Sequence, residues 1–207
     1  MQEPTRETIE WCNFRWQDAP DRMRRRVLLI GDSIVAGYHP VVVEELEGVV
    51  NVDMLATSKA IDDPAIIKET RYVMEGYRHA IVHFNNGLHG WHLDDEGYRQ
   101  GLREYVRVLR DLAGDARLIW ASSTPISAAG DMGKLCEERN PRVVARNRMA
   151  AEIMREAGIP IDDLYGLVVG RADLRSEDSY HYVEKGRRVQ GQAVAEVIRR
   201  TLGDIAD

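Results

Sequence analysis

From residue 27 onward, short apolar runs alternate with longer amphipathic segments. Val27-Leu28-Leu29-Ile30 is an unbroken apolar run ending at Gly31-Asp32, the pattern of a strand buried on both faces. Val50 to Leu55, Ala80 to Phe84 and Arg117 to Ala121 are further strand candidates, and Ile159-Pro160-Ile161 opens a short fifth strand. Helical stripes lie between them. Tyr98, Leu102, Tyr105, Val106, Leu109 and Leu112 recur at spacings of three and four. Val143, Asn147, Ala150, Ala151 and Met154 mark another helix, with Gly158 placed to end it, and Val194, Val197, Ile198 and Leu202 mark a C-terminal one. Residues 34–47 and 64–76 predict two further helices, the second opened by Asp63-Pro64. This alternation predicts an α/β fold with a parallel five-stranded sheet covered on both faces through right-handed crossovers. Ligands of such sheets sit beyond the carboxyl ends of the strands, so chemistry is expected just after each apolar run.

Residues 1–26 are polar and carry Trp11, Phe14 and Trp16 without a period. They read as an arm that packs its rings on the domain formed by residues 27–207, with a substrate cleft lined by those rings as the alternative, and within reach of a neighbouring subunit should the chain form a homo-oligomer. The length of 207 residues suits one domain. A net charge of −6 argues against nucleic acid as a partner. Cys12 and Cys136 have no nearby Cys or His at zinc-ligand spacing, so no metal is expected. The N-terminus has no apolar leader and no stretch approaches a membrane span, which together predict a cytoplasmic protein without membrane contact.

Three polar motifs fall at the predicted ligand edge. Gly31-Asp32-Ser33-Ile34 follows the first strand, so Ser33 is either an exposed hydroxyl at a helix N-terminus or, with Asp32, a helix cap. Glu177-Asp178-Ser179-Tyr180-His181 precedes the last helix. His181 has the chemistry of a base for a serine hydroxyl, and Asp178 is spaced to reach its other ring nitrogen, although such pairs also occur in surface turns. Asn85-Asn86-Gly87-Leu88-His89-Gly90 follows the third strand and offers donors for an oxyanion, or a polar loop that satisfies itself. Each motif alone is ambiguous. Their common placement is what nucleophile, base and oxyanion donors require. Tyr38, Trp91 and His92 lie near these loops, as do Lys59 and Asp63. Residues 123–140 form a long polar connection of the kind that lines a site. The first turn lacks a glycine-rich phosphate cradle, which speaks against a nucleotide or flavin binder.

In order and spacing, Gly31-Asp32-Ser33, the Gly87 loop and Asp178-x-x-His181 resemble the SGNH hydrolases, the group that includes GDSL esterases and lipases. The resemblance spans roughly residues 27–202. It implies a flavodoxin-like three-layer α/β/α sandwich, no metal or other cofactor, and hydrolysis of acyl esters of small molecules or carbohydrates through an acyl-enzyme. It further implies Ser33 as nucleophile, His181 as base, Asp178 as its orienting acid and the Ser33 N–H as an oxyanion donor. Two blocks depart from the family pattern. Ala56-Thr57-Ser58-Lys59-Ala60 carries no glycine, leaving the Ser58 N–H as the expected second donor. Gly87-Leu88-His89-Gly90 replaces Gly-x-Asn-Asp, so His89 stands where the oxyanion asparagine would be, with Asn85 and Asn86 as further candidates. These departures motivate an alternative, a non-catalytic ligand-binding protein on the same fold.

Overall fold

The computed structural model describes residues 5–205; the first four residues of the arm and the last two of the chain lie outside that range. The chain runs β1 (Cys12–Arg15), β2 (Arg26–Gly31), α1 (Ser33–Glu45), β3 (Asn51–Thr57), α2 (Pro64–Glu75), β4 (Ile81–Phe84), α3 (Asp95–Ala113), β5 (Arg117–Ala121), β6 (Ser127–Ala128), β7 (Asp131–Leu135), α4 (Asn140–Ala157), β8 (Ile161–Asp162), α5 (Leu164–Val168) and α6 (Glu184–Gly203).

The main sheet has the order β1-β3-β2-β4-β5-β8. Its four pairings from β3 to β8 join the predicted strands and are parallel. Residues 26–31 are all buried, as two-sided coverage demands. One face packs Val27 and Leu29 against α1 and α6 through Val35, Tyr38, Val42, Val194 and Ile198. The other packs Leu28 and Ile30 against α2, α3 and α4 through Ile66, Leu102, Leu109, Ala150 and Ile153. The alternating faces of β2 therefore each seal one helical layer, giving three layers.

The sheet has six strands rather than five. The additional strand is β1, which pairs antiparallel with β3 from Cys12↔Thr57 to Arg15↔Met54. It carries no apolar run because it is an edge strand with mostly exposed side chains, so backbone pairing rather than burial holds it in place. Its companions Phe14 and Trp16 stack 5.8 Å apart, both edge-on to Tyr72 of α2. The connection after β5 also contains a small hairpin, β6–β7. Among the described residues no helix is long and apolar enough to cross a membrane.

Candidate active site

Gly31 ends β2, and a side chain there would meet Val35 Cγ2 at 2.2 Å, so only glycine lets the chain turn this tightly into α1. Asp32 is the N-cap, with Oδ1 accepting the Ile34 N–H at 2.8 Å. That settles which side chain caps the helix and leaves the Ser33 hydroxyl available. Ser33 opens α1, where the first N–H groups have no intrahelical acceptor.

Asp178 and His181 sit in a short hairpin closed by the Arg175–Tyr182 bridge and by the Ser176 N–H donating to the His181 carbonyl at 3.0 Å. Asp178 Oδ1 accepts the N–H groups of Tyr180 and His181, which curls the segment, and Ser179 takes a left-handed φ of +73° to complete the turn. The curl brings Asp178 Oδ2 to 2.6 Å from His181 Nδ1. His181 Nε2 lies 2.8 Å from Ser33 Oγ, across 148 residues of chain. Burial alone would raise the Asp178 carboxyl. The His181 N–H, the imidazole, the Tyr180 N–H and the Ser176 hydroxyl outweigh it and hold that carboxyl well below the usual carboxylate range. A carboxylate, an imidazole and a hydroxyl thus stand in hydrogen-bonding order. This geometry fixes the imidazole orientation and lets Nε2 accept the hydroxyl proton.

The loop after β4 is placed at the same edge but uses its side chains differently from the sequence expectation. Asn85 Nδ2 donates to the Ala121 carbonyl at 2.7 Å and to Ser123 Oγ at 3.0 Å, so both amide hydrogens are committed to the interior. Asn86 Nδ2 donates to the Lys59 carbonyl at 2.8 Å, tying the loop to the segment after β3. Both asparagines hold the loop, and Asn85 has no amide hydrogen left for an oxyanion. Ser58 is likewise corrected. Its N–H donates to the Trp11 carbonyl at 3.1 Å and its hydroxyl accepts the Trp11 N–H at 2.8 Å, so the arm has taken the donor that an oxyanion would need. His89 Nδ1 lies 2.8 Å from Glu7 Oε1, and a neutral ring donating there presents Nε2 as an acceptor. Gly87 packs against Ser123, whose Oγ would lie 1.8 Å from an added Cβ.

One feature escaped the sequence reading, and another follows its alternative. The first is Arg146, 2% exposed, which donates to the carbonyls of Gly87, His89 and Gly90 at 3.0, 2.7 and 2.5 Å. Its signal was a charged residue between Val143 and Ala150, on the buried stripe of α4. The second is the arm. Glu7 and Trp11 join Ser33, Leu88, His89, Trp91, Arg139, Tyr180 and His181 around a cavity of about 550 Å³. Glu10 pairs with Lys59 at 2.7 Å and Arg6 with Asp63 at 2.7 Å, which fastens the arm over this edge. Lys59 and Asp63 are therefore committed to the arm, Asp63 also capping α2, and His92 faces Asp62. Tyr38 is buried on the core-facing side of α1. Among the described residues, no group of three or more His, Cys, Asp or Glu side chains could hold a metal ion.

No protein-family model matches the sequence, and no curated protein does. Solved structures do. An aryl esterase of M. smegmatis superposes with a TM-score of 0.71 at 16% identity, covering 86% of this chain and 99% of that one. An acetylxylan esterase from Geobacillus stearothermophilus gives 0.66 at 16% identity over 83% and 93%. A lipase/acylhydrolase from Enterococcus faecalis gives 0.65 at 17% identity over 84% and 95%. At such identities the likeness is one of fold, and coverage of nearly the whole of each relative makes it a likeness of complete domains.

Proposed function

Starting from the α/β/α fold of the SGNH hydrolases, we propose that this chain is a serine hydrolase of carboxylic esters, with small molecules or carbohydrates as the alcohol half. The observation that carries the reading is the unbroken relay from Asp178 through His181 to Ser33, at 2.6 and 2.8 Å. In this reading Ser33 Oγ attacks the ester carbonyl carbon while His181 Nε2 takes the hydroxyl proton. Asp178 keeps the proton of the other nitrogen in place and stabilises the imidazolium. Collapse of the tetrahedral intermediate breaks the bond to the alcohol, which leaves with the proton held by His181, and the acyl group remains on Ser33. Water then repeats the sequence, with His181 as its base, and releases the acid.

The oxyanion of both intermediates needs fixed donors, the first being the Ser33 N–H at the start of α1. The cavity supports a small substrate. Its aromatic walls, Trp11, Trp91 and Tyr180, suit a sugar or aryl ring, and Arg139, hydrogen-bonded to the Tyr180 hydroxyl, adds a polar corner.

Release of p-nitrophenol from p-nitrophenyl acetate by the wild-type protein, lost in Ser33→Ala with the fold intact, is the expected result. An ester panel untouched by wild type would overturn the reading. One observation favours a second reading, a non-catalytic binder: the commitment of the Ser58 N–H to Trp11 removes an expected oxyanion donor. Labelling by a fluorophosphonate requires an activated serine, so an unlabelled Ser33 would favour the binder.

A further inference from the structure

With the Ser58 N–H and both Asn85 amide hydrogens taken, the oxyanion is one partner short, and Arg146 points to where the second one comes from. Resting on the hydrolase reading above, we propose that Arg146 is a positioning residue that turns the Leu88 backbone N–H toward the substrate carbonyl, making it the second oxyanion donor beside the Ser33 N–H.

The argument begins with the peptide unit. In a planar trans peptide the C=O of one residue and the N–H of the next point in opposite directions, and the described chain contains no cis bond. The Gly87 carbonyl points at Arg146 of α4, 3.0 Å away. The N–H of the same peptide, that of Leu88, therefore points away from α4. Leu88 lines the same cavity as Ser33 and His181, the face this N–H would serve. The preceding peptide is held in a similar way, with the Tyr98 hydroxyl donating to the Asn86 carbonyl at 2.8 Å. Gly87 itself is pressed against Ser123, which leaves the loop little freedom to roll back.

Arg146 is equipped for this task more than for structure alone. Its guanidinium makes no ion pair with any carboxylate among the described residues, and it donates to loop carbonyls. It lies over the rings of Trp91 and Tyr98 at 4.9 and 4.8 Å, which fixes its plane. A buried cation is costly to maintain and is tolerated where several acceptors share its charge. Placed on the carbonyl side of the peptide, that charge draws electron density from the amide and strengthens the N–H as a donor on the other side. The planar fork reaches three carbonyls at once, which a lysine ammonium on its flexible stem does not reproduce.

The test compares wild type with Arg146→Lys and Arg146→Met, using p-nitrophenyl acetate turnover, thermal unfolding and inhibition by an alkyl trifluoromethyl ketone. The ketone's hemiketal on Ser33 carries the oxyanion and reports on its donors. Arg146→Lys, which keeps the charge and is the variant of choice should Arg146→Met not fold, is expected to lose about 10–100-fold in kcat with KM changed less than about 3-fold. The inhibition constant of the ketone is expected to rise by the same factor as kcat falls. Wild-type kcat in a folded Arg146 variant, or a fall in kcat with ketone affinity unchanged, would overturn the proposal. Inactive wild type would overturn the hydrolase reading and this inference with it, whereas active wild type beside equally active variants would overturn the inference alone.

Discussion

Asp178–His181 and Asp53–His79 hold the same carboxylate–imidazole contact, at 2.6 and 2.9 Å. The first lies at the carboxyl edge of the sheet with its side chains about half exposed, and the second lies in β3 and the segment before β4 with its side chains at 0% and 1%. The difference is in what the remaining atoms face. His181 turns its second nitrogen to a hydroxyl beside an open cavity. The second nitrogen of His79 is buried with no partner among the described residues, and Asp53 is shared with Arg26, which donates to it at 2.8 and 2.6 Å. A carboxylate–imidazole pair becomes a proton relay only when its far nitrogen reaches a reacting group. Enclosed by β2, β3 and an arginine, the same pair is a clasp.

The comparison breaks most sharply at Ser33. Ser33→Ala is expected to lower kcat/KM on p-nitrophenyl acetate by at least about 10⁴-fold while thermal unfolding stays within about 1 kcal/mol of wild type. A folded variant that keeps a tenth of wild-type turnover would remove the relay from the mechanism. Next is Asp178→Asn, expected to cost about 10³–10⁴-fold, chiefly in kcat, because the amide favours the wrong imidazole tautomer. Steady-state kinetics with circular dichroism as the control would check this.

Asp53→Asn should show the opposite profile. It leaves the buried Arg26 charge without its carboxylate, at a cost of about 3–5 kcal/mol in chemical denaturation, with turnover per folded molecule unaffected. Burial alone would raise the Asp53 carboxyl, but Arg26 and His79 outweigh it and lower it. A carboxyl lowered on folding contributes stability that is present above its unfolded value, about 3.9, and is lost as pH falls through the lower folded value. Wild type should therefore lose stability on acidification below about pH 4 more steeply than Asp53→Asn, as melts across an acid pH series would show. A mutant curve parallel to wild type would mean that the clasp stores no acid-sensitive stability.

The smallest effect is expected at Ser58, whose hydroxyl latches the arm by accepting the Trp11 N–H and donating to Glu10 at 2.6 Å. Ser58→Ala should cost about 1 kcal/mol and raise KM by a few-fold with kcat nearly unchanged, since Glu7 and Trp11 line the cavity while the relay is untouched. A fall in kcat instead would mean that the arm acts on the relay and not only on the cavity wall.

The parallel sheet and its helices were legible because apolar runs of four to six residues and stripes at spacings of three and four follow from burial itself. Ser33, Asp178 and His181 were legible as candidates because motifs that are each ambiguous alone fall together at one predicted edge of the sheet. β1 was not, since an edge strand is held by backbone hydrogen bonds that leave no mark on side-chain pattern. The donors were misassigned for a related reason. Whether an N–H or amide faces the substrate depends on which acceptor already holds it, and Trp11, Ala121, Ser123 and Lys59 are remote in sequence from the groups they occupy.

The sequence by itself determined the layers of this protein and the chemical groups at its working edge, because local burial period and side-chain chemistry are properties of the chain. Only the tertiary structure decided which aspartate–histidine pair meets a hydroxyl, which backbone donors stay open, and that a buried arginine grips the loop between them. Those outcomes depend on through-space competition for hydrogen-bond partners, which no linear spacing encodes.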